Sequence, residues 1–356
     1  MDINTNRSND DYVSRLYELF DQSGSFNMSN GIKYINSLLD NYQQTNVAGT
    51  TEYGWWTIQK HMFLQSYLWP FFTIGRKYFK RIVYIDMFAG PGLNLINEDN
   101  FPYVSPGSPL IVYAYKYTTK KEKRTDRFDS YYFFEKNSAK ASILKKRLEK
   151  IKSDFKYEEE PIVLTDDSVS SIFSIINKEV TRLNLPKKTP DRGDSGLLFL
   201  IFIDPEGLEL DWNTLKKLIR RYYTKKGKQQ IHYMVADIIY TIPIGSLKRE
   251  GKKFFERNFG IKDVDPAKLS YDKIIELIYS QMKEEVGNKI YIETIPVYNT
   301  KNVLLYDISL ITKTEGTSNA TRSIIQKFKT MRLNPKQIES KIQIAYGKIK
   351  SLDSYS

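Results

Sequence analysis

Residues 82–92 read Ile82-Val83-Tyr84-Ile85-Asp86-Met87-Phe88-Ala89-Gly90-Pro91-Gly92. An apolar, β-branched and aromatic run ends in an acid and then in a glycine-bracketed turn. Such a run suits a parallel strand covered on both faces. Asp86 and the turn then fall at its carboxyl end, where open α/β sheets bind ligands. Glycine permits positive φ and close approach of the backbone to a ligand, and Asp86 can accept hydrogen bonds from a cationic amine or from backbone N–H groups. The spacing is neither GxGxxG nor GxxxxGKS/T, so neither a nicotinamide-dinucleotide fingerprint nor a P-loop is present.

Further apolar runs follow, with helical stretches between them. Residues 131–135 (YYFFE) precede a basic amphipathic helix at about 138–152, and 161–167 (PIVLTDD) precede one at 168–183. Residues 197–204 (LLFLIFID) precede a helix near 212–225, and 231–239 (IHYMVADII) form a fifth run. Strands alternating with helices imply βαβ units with right-handed crossovers. The runs 290–297 and 303–312 are joined by YNTKN, which suits a hairpin. The expected fold is α/β: a Rossmann-like class I methyltransferase fold with a mostly parallel seven-stranded sheet closed by an antiparallel hairpin. Before it, helical patterns at 9–22 and 30–43 form an N-terminal accessory segment over 1–50, and 55–80 reads as an aromatic helix interrupted at Pro70. The Rossmann-like domain is expected over 51–315 and a helical tail over 316–356.

Four runs end in acid at one edge: Asp86, Glu135, Asp166 or Asp167, and Asp204. A nucleoside lying there would use them differently. The acid after the second strand can accept both ribose hydroxyl protons, which is Glu135. The acid after the third can accept from the adenine amino group, with Asp166 preferred to Asp167. S-adenosylmethionine (SAM) offers the matching adenosyl group and amine, and is the expected cofactor. Ser108, in Gly107-Ser108-Pro109, can cap a helix whose N-terminus would face the SAM carboxylate.

Composition narrows the chemistry. The 356-residue chain has no cysteine and two histidines, His61 and His232, which excludes disulfides, thiolate catalysis and Cys-ligated metal. No metal is expected. The net charge of +12 and the 26 tyrosines would favour a polyanion with stackable bases, so nucleic acid is an expected partner. Lys/Arg clusters at 119–127, 145–152, 216–228 and 248–257 could line its groove. No apolar run approaches the ~18 residues of a membrane span, and the polar N-terminus lacks signal-peptide regions. A soluble, cytoplasmic protein with no membrane partner is expected.

The stretches Ile85-Asp86-Met87-Phe88-Ala89-Gly90-Pro91-Gly92, Gly107-Ser108-Pro109-Leu110 and Phe202-Ile203-Asp204-Pro205-Glu206-Gly207, preceded by Trp55-Trp56-Thr57 and Lys60-His61, together resemble the three-Cys-motif partner protein family (TcmP) over about 55–310. The resemblance implies a SAM site with Asp86, Ala89 and Gly90 around the methionine end, Phe88 and Gly92 completing the loop. It also implies a separate partner chain bearing a three-cysteine motif. The fourth-strand motif departs from the pattern: Asp204-Pro205-Glu206-Gly207 has no aromatic after the proline.

The acceptor would approach the end of the fourth strand, which makes Asp204, Pro205 and Glu206 catalytic candidates. Amino-directed DNA methyltransferases carry a second proline and an aromatic there to hold a flipped base. Their absence weakens base N-methylation, unless Trp212 or Tyr240 supplies a ring. Lys60, Asp204, Lys248 and Glu293 match in order the lysine-acid-lysine-glutamate set of ribose 2′-O-methyltransferases, in which a lysine activates the hydroxyl. This also makes Lys60 a catalytic candidate. Two functions are expected in turn: a SAM-dependent methyltransferase acting on DNA or RNA in a processing or defence system, or a catalytically idle Rossmann-like scaffold that binds SAM or a nucleotide.

Overall fold

The structure, a computed structural model, describes residues 9–39, 51–96, 103–118, 125–182, 196–207, 209–223, 234–286, 290–299, 301–312, 315–331 and 335–353. Seven strands form the main sheet: β1 (Arg81–Asp86), β2 (Ser130–Phe134), β3 (Pro161–Leu164), β4 (Leu197–Ile203), β5 (Met234–Ile242), β6 (Tyr291–Tyr298) and β7 (Leu304–Thr312). Their order is β6-β7-β5-β4-β1-β2-β3. β1 and β5 each run parallel to β4, and β2 runs parallel to β3. β7 runs antiparallel to both β5 and β6. This is the α/β, Rossmann-like class I methyltransferase fold, with its order reversing at β1 and β4. In β4 all seven residues of LLFLIFI are buried, so no in-out alternation is visible in the sequence. Each such side chain contributes about 1.5–3 kcal/mol on burial.

Several elements differ from the sequence reading. The helix Trp56–Tyr78 runs unbroken through Pro70. The ring removes one backbone hydrogen bond, a cost of ~3 kcal/mol in an exposed helix. Here Leu68, Phe71 and Phe72 are buried around it, and their burial offsets that loss. β5 extends to Ile242; residues 231–233, with His232, lie outside the described residues. So do 40–43 of the second helical pattern, 119–124 of the first basic cluster and 224–228 of the third. The tail contains two helices, Glu315–Thr330 and Pro335–Asp353. Three helices after β5 went unread: Ile244–Glu250, Lys252–Phe259 and Tyr271–Val286. A small sheet was also missed, in which Leu93–Ile96 pairs parallel with Thr51–Tyr53 and antiparallel with Tyr103–Pro106.

The chain divides into two compact units. The first comprises Met1–Trp69, Ala89–Thr165 and Gln326–Ser356. In it the helices Asn9–Glu18 and Met28–Ser37 pack together and against the last helix, Pro335–Asp353. Tyr17 donates to the Val104 carbonyl at 3.0 Å, Gln65 to the Arg15 carbonyl at 2.8 Å, and Phe63 meets Phe328 edge-on at 5.5 Å. The turn between the two N-terminal helices is built around Asp21, whose carboxylate accepts from Ser23 N–H and Oγ, Ser25 Oγ, Asn27 N–H and Asn30 Nδ2.

The second unit comprises Pro70–Phe88 and Asp166–Ile325. Its helix Ser168–Arg182 sends a fully buried Glu179 to Arg81 at the start of β1, Nε to Oε2 2.7 Å. The helix Tyr271–Val286 is pinned to β7 by Asp307: Tyr271 and Tyr279 donate to its carboxylate, the latter at 3.0 Å, and Ser309 donates at 2.9 Å. Among the described residues no helix is long and apolar enough to cross a membrane.

Burial raises the Asp21 pKa, but the hydrogen bonds from Asn27, Ser23 and Ser25 outweigh it and hold the carboxyl well below the usual carboxylate range. A depressed native pKa stabilises the fold above the unfolded pKa of about 4 and loses that contribution as pH falls through the native value. Asp21→Asn is expected to cost about 1.5–3 kcal/mol at pH 7, with the gap from wild type shrinking at pH 3. Urea unfolding at the two pH values measures this; an equal gap at both would contradict it.

Candidate functional site

In the second unit, β1 carries Asp86 into full burial. Oδ2 accepts from the Tyr84 hydroxyl at 3.1 Å and Oδ1 from the Phe88 N–H at 3.2 Å. The carboxylate therefore organises the first step of its own turn. β1 and β4 stay paired past the strand end, Met87 N–H donating to the Phe202 carbonyl at 3.0 Å. Asp204 follows two residues later and is half-buried, with Pro205 buried and Glu206 exposed. Two phenols feel the Asp204 charge. Burial, then Asp86 and Asp204, hold Tyr84 well above its usual pKa; burial, then Asp204, do the same to Tyr306. Both hydroxyls remain protonated donors at neutral pH. A half-buried carboxylate within electrostatic reach of two neutral phenols can orient a polar group at the end of β4.

In the first unit, Ala89 N–H donates to the Phe134 carbonyl at 2.8 Å, tying the turn to the end of β2. Gly90 and Gly92 have φ of 60° and 85°, in the left-handed region. A Cβ on Gly90 would meet nothing within 4 Å, so open space lies before it. A Cβ on Gly92 would meet Leu144 Cδ1 at 2.9 Å and Leu110 at 3.1 Å. One glycine faces room for a ligand and the other packs inward. Gly107 N–H donates to the Gly92 carbonyl at 2.7 Å, and Arg147 Nη1 donates to the Pro91 carbonyl at 2.7 Å. Arg147 is itself buried, and its Nε reaches the Leu38 carbonyl at 3.3 Å.

The acids after β2 and β3 differ in commitment. Glu135 is half-buried; its N–H donates to the Leu164 carbonyl at 2.9 Å and its Oε1 accepts from Asn137 N–H at 2.7 Å. Asp166 and Asp167 are both exposed. Asp167 caps the helix Ser168–Arg182, accepting from Ser170 N–H at 3.2 Å, whereas Asp166 has no hydrogen-bond partner among the described residues. Ser108 is buried and is the first helical residue; the cap is Gly107, with extended backbone and no side-chain bond. The hydroxyl expected as a cap is thus one position inside the helix.

Lys60 and His61 are both buried on the helix Trp56–Tyr78. Burial, then the adjacent Lys60 ammonium, pull His61 down to about 3, so its imidazole is neutral. Trp212 and Tyr240 supply no stacking face: both are buried, Trp212 against Gly260 and Tyr240 against Phe259 at 6.5 Å. Lys248 is half-buried on the helix Ile244–Glu250. Glu293 pairs with Leu310, which pairs with Ile239, three residues short of the end of β5. Asp307 was missed by the sequence reading yet pairs with Ile242 at that end. Its signal was an acid inside the apolar run LLYDISL. No cluster of metal-ligating side chains occurs among the described residues.

No family model matches the chain, and no curated protein does. The likeness to the three-Cys-motif partner family therefore rests on motifs alone. Among solved structures, the chain is similar to protein LPL1258 of Legionella pneumophila, of the DUF519 family, at 12% identity and TM-score 0.43, covering 78% of this chain and 93% of that one. It is also similar to the methyltransferase domain of bacterial CtHen1, at 10% identity and TM-score 0.32, covering 72% of this chain and 99% of that one. At these scores the fold assignment stands on the strand order.

The two glycines are expected to respond differently to alanine. Gly90→Ala carries only the left-handed backbone cost, about 1 kcal/mol. Gly92→Ala adds a clash with Leu110 and Leu144 and should cost about 1–3 kcal/mol more. Denaturant midpoints for both variants measure this, and a Gly90 variant less stable than the Gly92 variant would refute the placement.

Proposed function

We propose that the protein is a SAM-dependent methyltransferase acting on nucleic acid. The observation that carries this reading is the β6-β7-β5-β4-β1-β2-β3 order with the positive-φ turn after β1. The open space before Gly90 fits a cofactor lying against the backbone. SAM would supply an electrophilic methyl group on a sulfonium. Ala89, Gly90 and Gly92 would hold the methionine end, with Phe88 and Asp86 shaping the turn behind them. Glu135 would accept from the ribose hydroxyls. Asp166 would read the adenine amino group, an assignment supported by the capping duty of Asp167. Ser108 would line the same loop.

Asp204, with Pro205 and Glu206, would stand on the acceptor side. Its half-burial beside Tyr84 and Tyr306 suits a carboxylate that orients an attacking nitrogen or oxygen and takes the proton released on methylation. The absence of an aromatic after Pro205, and the burial of Trp212 and Tyr240, favour an acceptor recognised without stacking on those rings. The net charge of +12 supports a polyanionic acceptor. A partner chain bearing a three-cysteine motif remains part of the proposal on the strength of the sequence motifs.

Calorimetric titration should give micromolar SAM binding, with Glu135→Ala weakening it about tenfold or more. Transfer of tritiated methyl groups to duplex DNA, single-stranded DNA or RNA should fall at least a hundredfold in Asp204→Asn while SAM affinity stays within threefold. No heat with SAM or S-adenosylhomocysteine would remove the cofactor reading. Binding without transfer to any nucleic acid would remove the catalytic one.

A further inference from the structure

Arg147 is buried on the helix Ser138–Phe155, and its guanidinium serves two carbonyls from distant parts of the chain. Nη1 donates to Pro91 in the glycine turn at 2.7 Å, and Nε donates to Leu38 at 3.3 Å. Leu38 caps the end of the helix Met28–Ser37. Carbonyls there lack an intrahelical partner and stand at the negative end of the dipole, so a cation suits them. A guanidinium is planar, which fixes the directions of its donors, and a displacement of one carbonyl is therefore felt at the other.

The bond to Pro91 acts on the backbone of the turn itself. The Pro91 carbonyl and the Gly92 N–H belong to one planar peptide, so holding the oxygen sets the direction of the N–H. The next peptide is held in the same way, by Gly107 N–H on the Gly92 carbonyl at 2.7 Å. Leu144 shares a helical face with Arg147, and a Cβ on Gly92 would meet its Cδ1 at 2.9 Å. The turn is gripped from behind while Gly90 keeps its open side. The N-terminal helical hairpin holds the other end of this arrangement. Tyr17 donates to the Val104 carbonyl at 3.0 Å, on the strand that leads into Gly107. Tyr34 donates to Asp154 Oδ2 at 2.8 Å and meets Phe155 edge-on at 5.4 Å, both on the helix that carries Arg147. The two hairpin helices touch through their backbones, since a Cβ on Gly31 would lie 1.8 Å from the Tyr17 carbonyl oxygen.

We infer that Arg147 is a positioning residue for the glycine turn, and that the helical hairpin of residues 9–37 regulates the turn through it. Linkage of this kind is reciprocal: a ligand on the turn must act on the hairpin as the hairpin acts on the turn. The consequence for a cofactor rests on the function proposed above; the tie between hairpin and turn does not.

A double-mutant cycle on the full chain tests this, with Asp21→Asn to perturb the hairpin away from the turn and Arg147→Lys to remove the paired donors. A lysine ammonium keeps the charge and can reach one carbonyl, but it sets no angle between two. Arg147→Gln, which keeps a donor without burying a charge, replaces Arg147→Lys should the latter not fold. The readout is the amide NMR signal of each glycine in protein labelled with nitrogen-15 at glycine, which reports the folded state whatever its stability. Without ligand, Asp21→Asn should shift the Gly92 signal by more than its linewidth, and should no longer do so when Arg147→Lys is present. Gly245 and Gly260, in the second unit, should stay in place. An unmoved Gly92 signal in Asp21→Asn, or the same movement with and without Arg147→Lys, would overturn the inference. Added SAM should shift Gly31 in the hairpin as well as Gly92, and Arg147→Lys should abolish the response of Gly31 alone. A shift confined to Gly92 in the wild type would also overturn the inference. If SAM shifts nothing, the cofactor reading fails, and the ligand-free cycle by itself upholds or overturns the tie.

Discussion

The fold turns on a carboxylate taken out of water. Asp86 has no exposed surface, and a buried charge persists only where hydrogen bonds replace its hydration. Tyr84 and the Phe88 amide supply two of those bonds, one from the strand before it and one from the turn after it. The acid thus fixes the direction in which the chain leaves β1. The path through Ala89, Gly90, Pro91 and Gly92 follows, with two left-handed residues that only glycine adopts cheaply. Gly92 then lies against Leu110 and Leu144, its carbonyl receiving Gly107 N–H. Of the two partners the sequence offers for Asp86, a cationic amine or a backbone N–H, the structure shows the backbone N–H of Phe88, and the turn that follows leaves open space at Gly90.

Buried polar groups serve two ends in this protein. Glu179 with Arg81, Asp307 with Tyr271 and Tyr279, and Asp21 with its serine turn are satisfied locally, and each ties a helix or turn in place. Arg147 holds Pro91 and Leu38 together, so the N-terminal helical hairpin and the glycine turn share one guanidinium. The start of the helix Trp56–Tyr78 is different: Trp55 Nε1, Thr57 Oγ1, Gln59 Nε2 and His61 Nδ1 are buried without a hydrogen-bond partner. Each such group costs about 1–3 kcal/mol.

The sheet was legible in the sequence because parallel strands covered on both faces appear as unbroken apolar runs. β1 and β4 carry that mark, β1 ending in Asp86 and β4 followed by Asp204, whereas the closing hairpin is legible from the short YNTKN connection between its two runs. The helices between β5 and β6 escaped notice. Two are only 7 and 8 residues long, and Gly251 and Gly260 punctuate them as they would a loop. Pro70 misled for a related reason, since local propensity says nothing of the burial that overrides it. At the candidate site, residue identity showed which acids end strands but not what they do there. Asp167 is the cap, Gly107 replaces Ser108 as a cap, and Asp307 hides inside a strand. Those assignments depend on burial and register, which one-dimensional spacing does not contain.

Hydrogen–deuterium exchange of the full chain with and without SAM tests the central claim most directly. Exchange of the amides across residues 88–92 and 135–138 should slow when SAM is added, because a ligand against the Gly90 face and Glu135 excludes solvent there. Unchanged exchange in both segments at saturating SAM would contradict it.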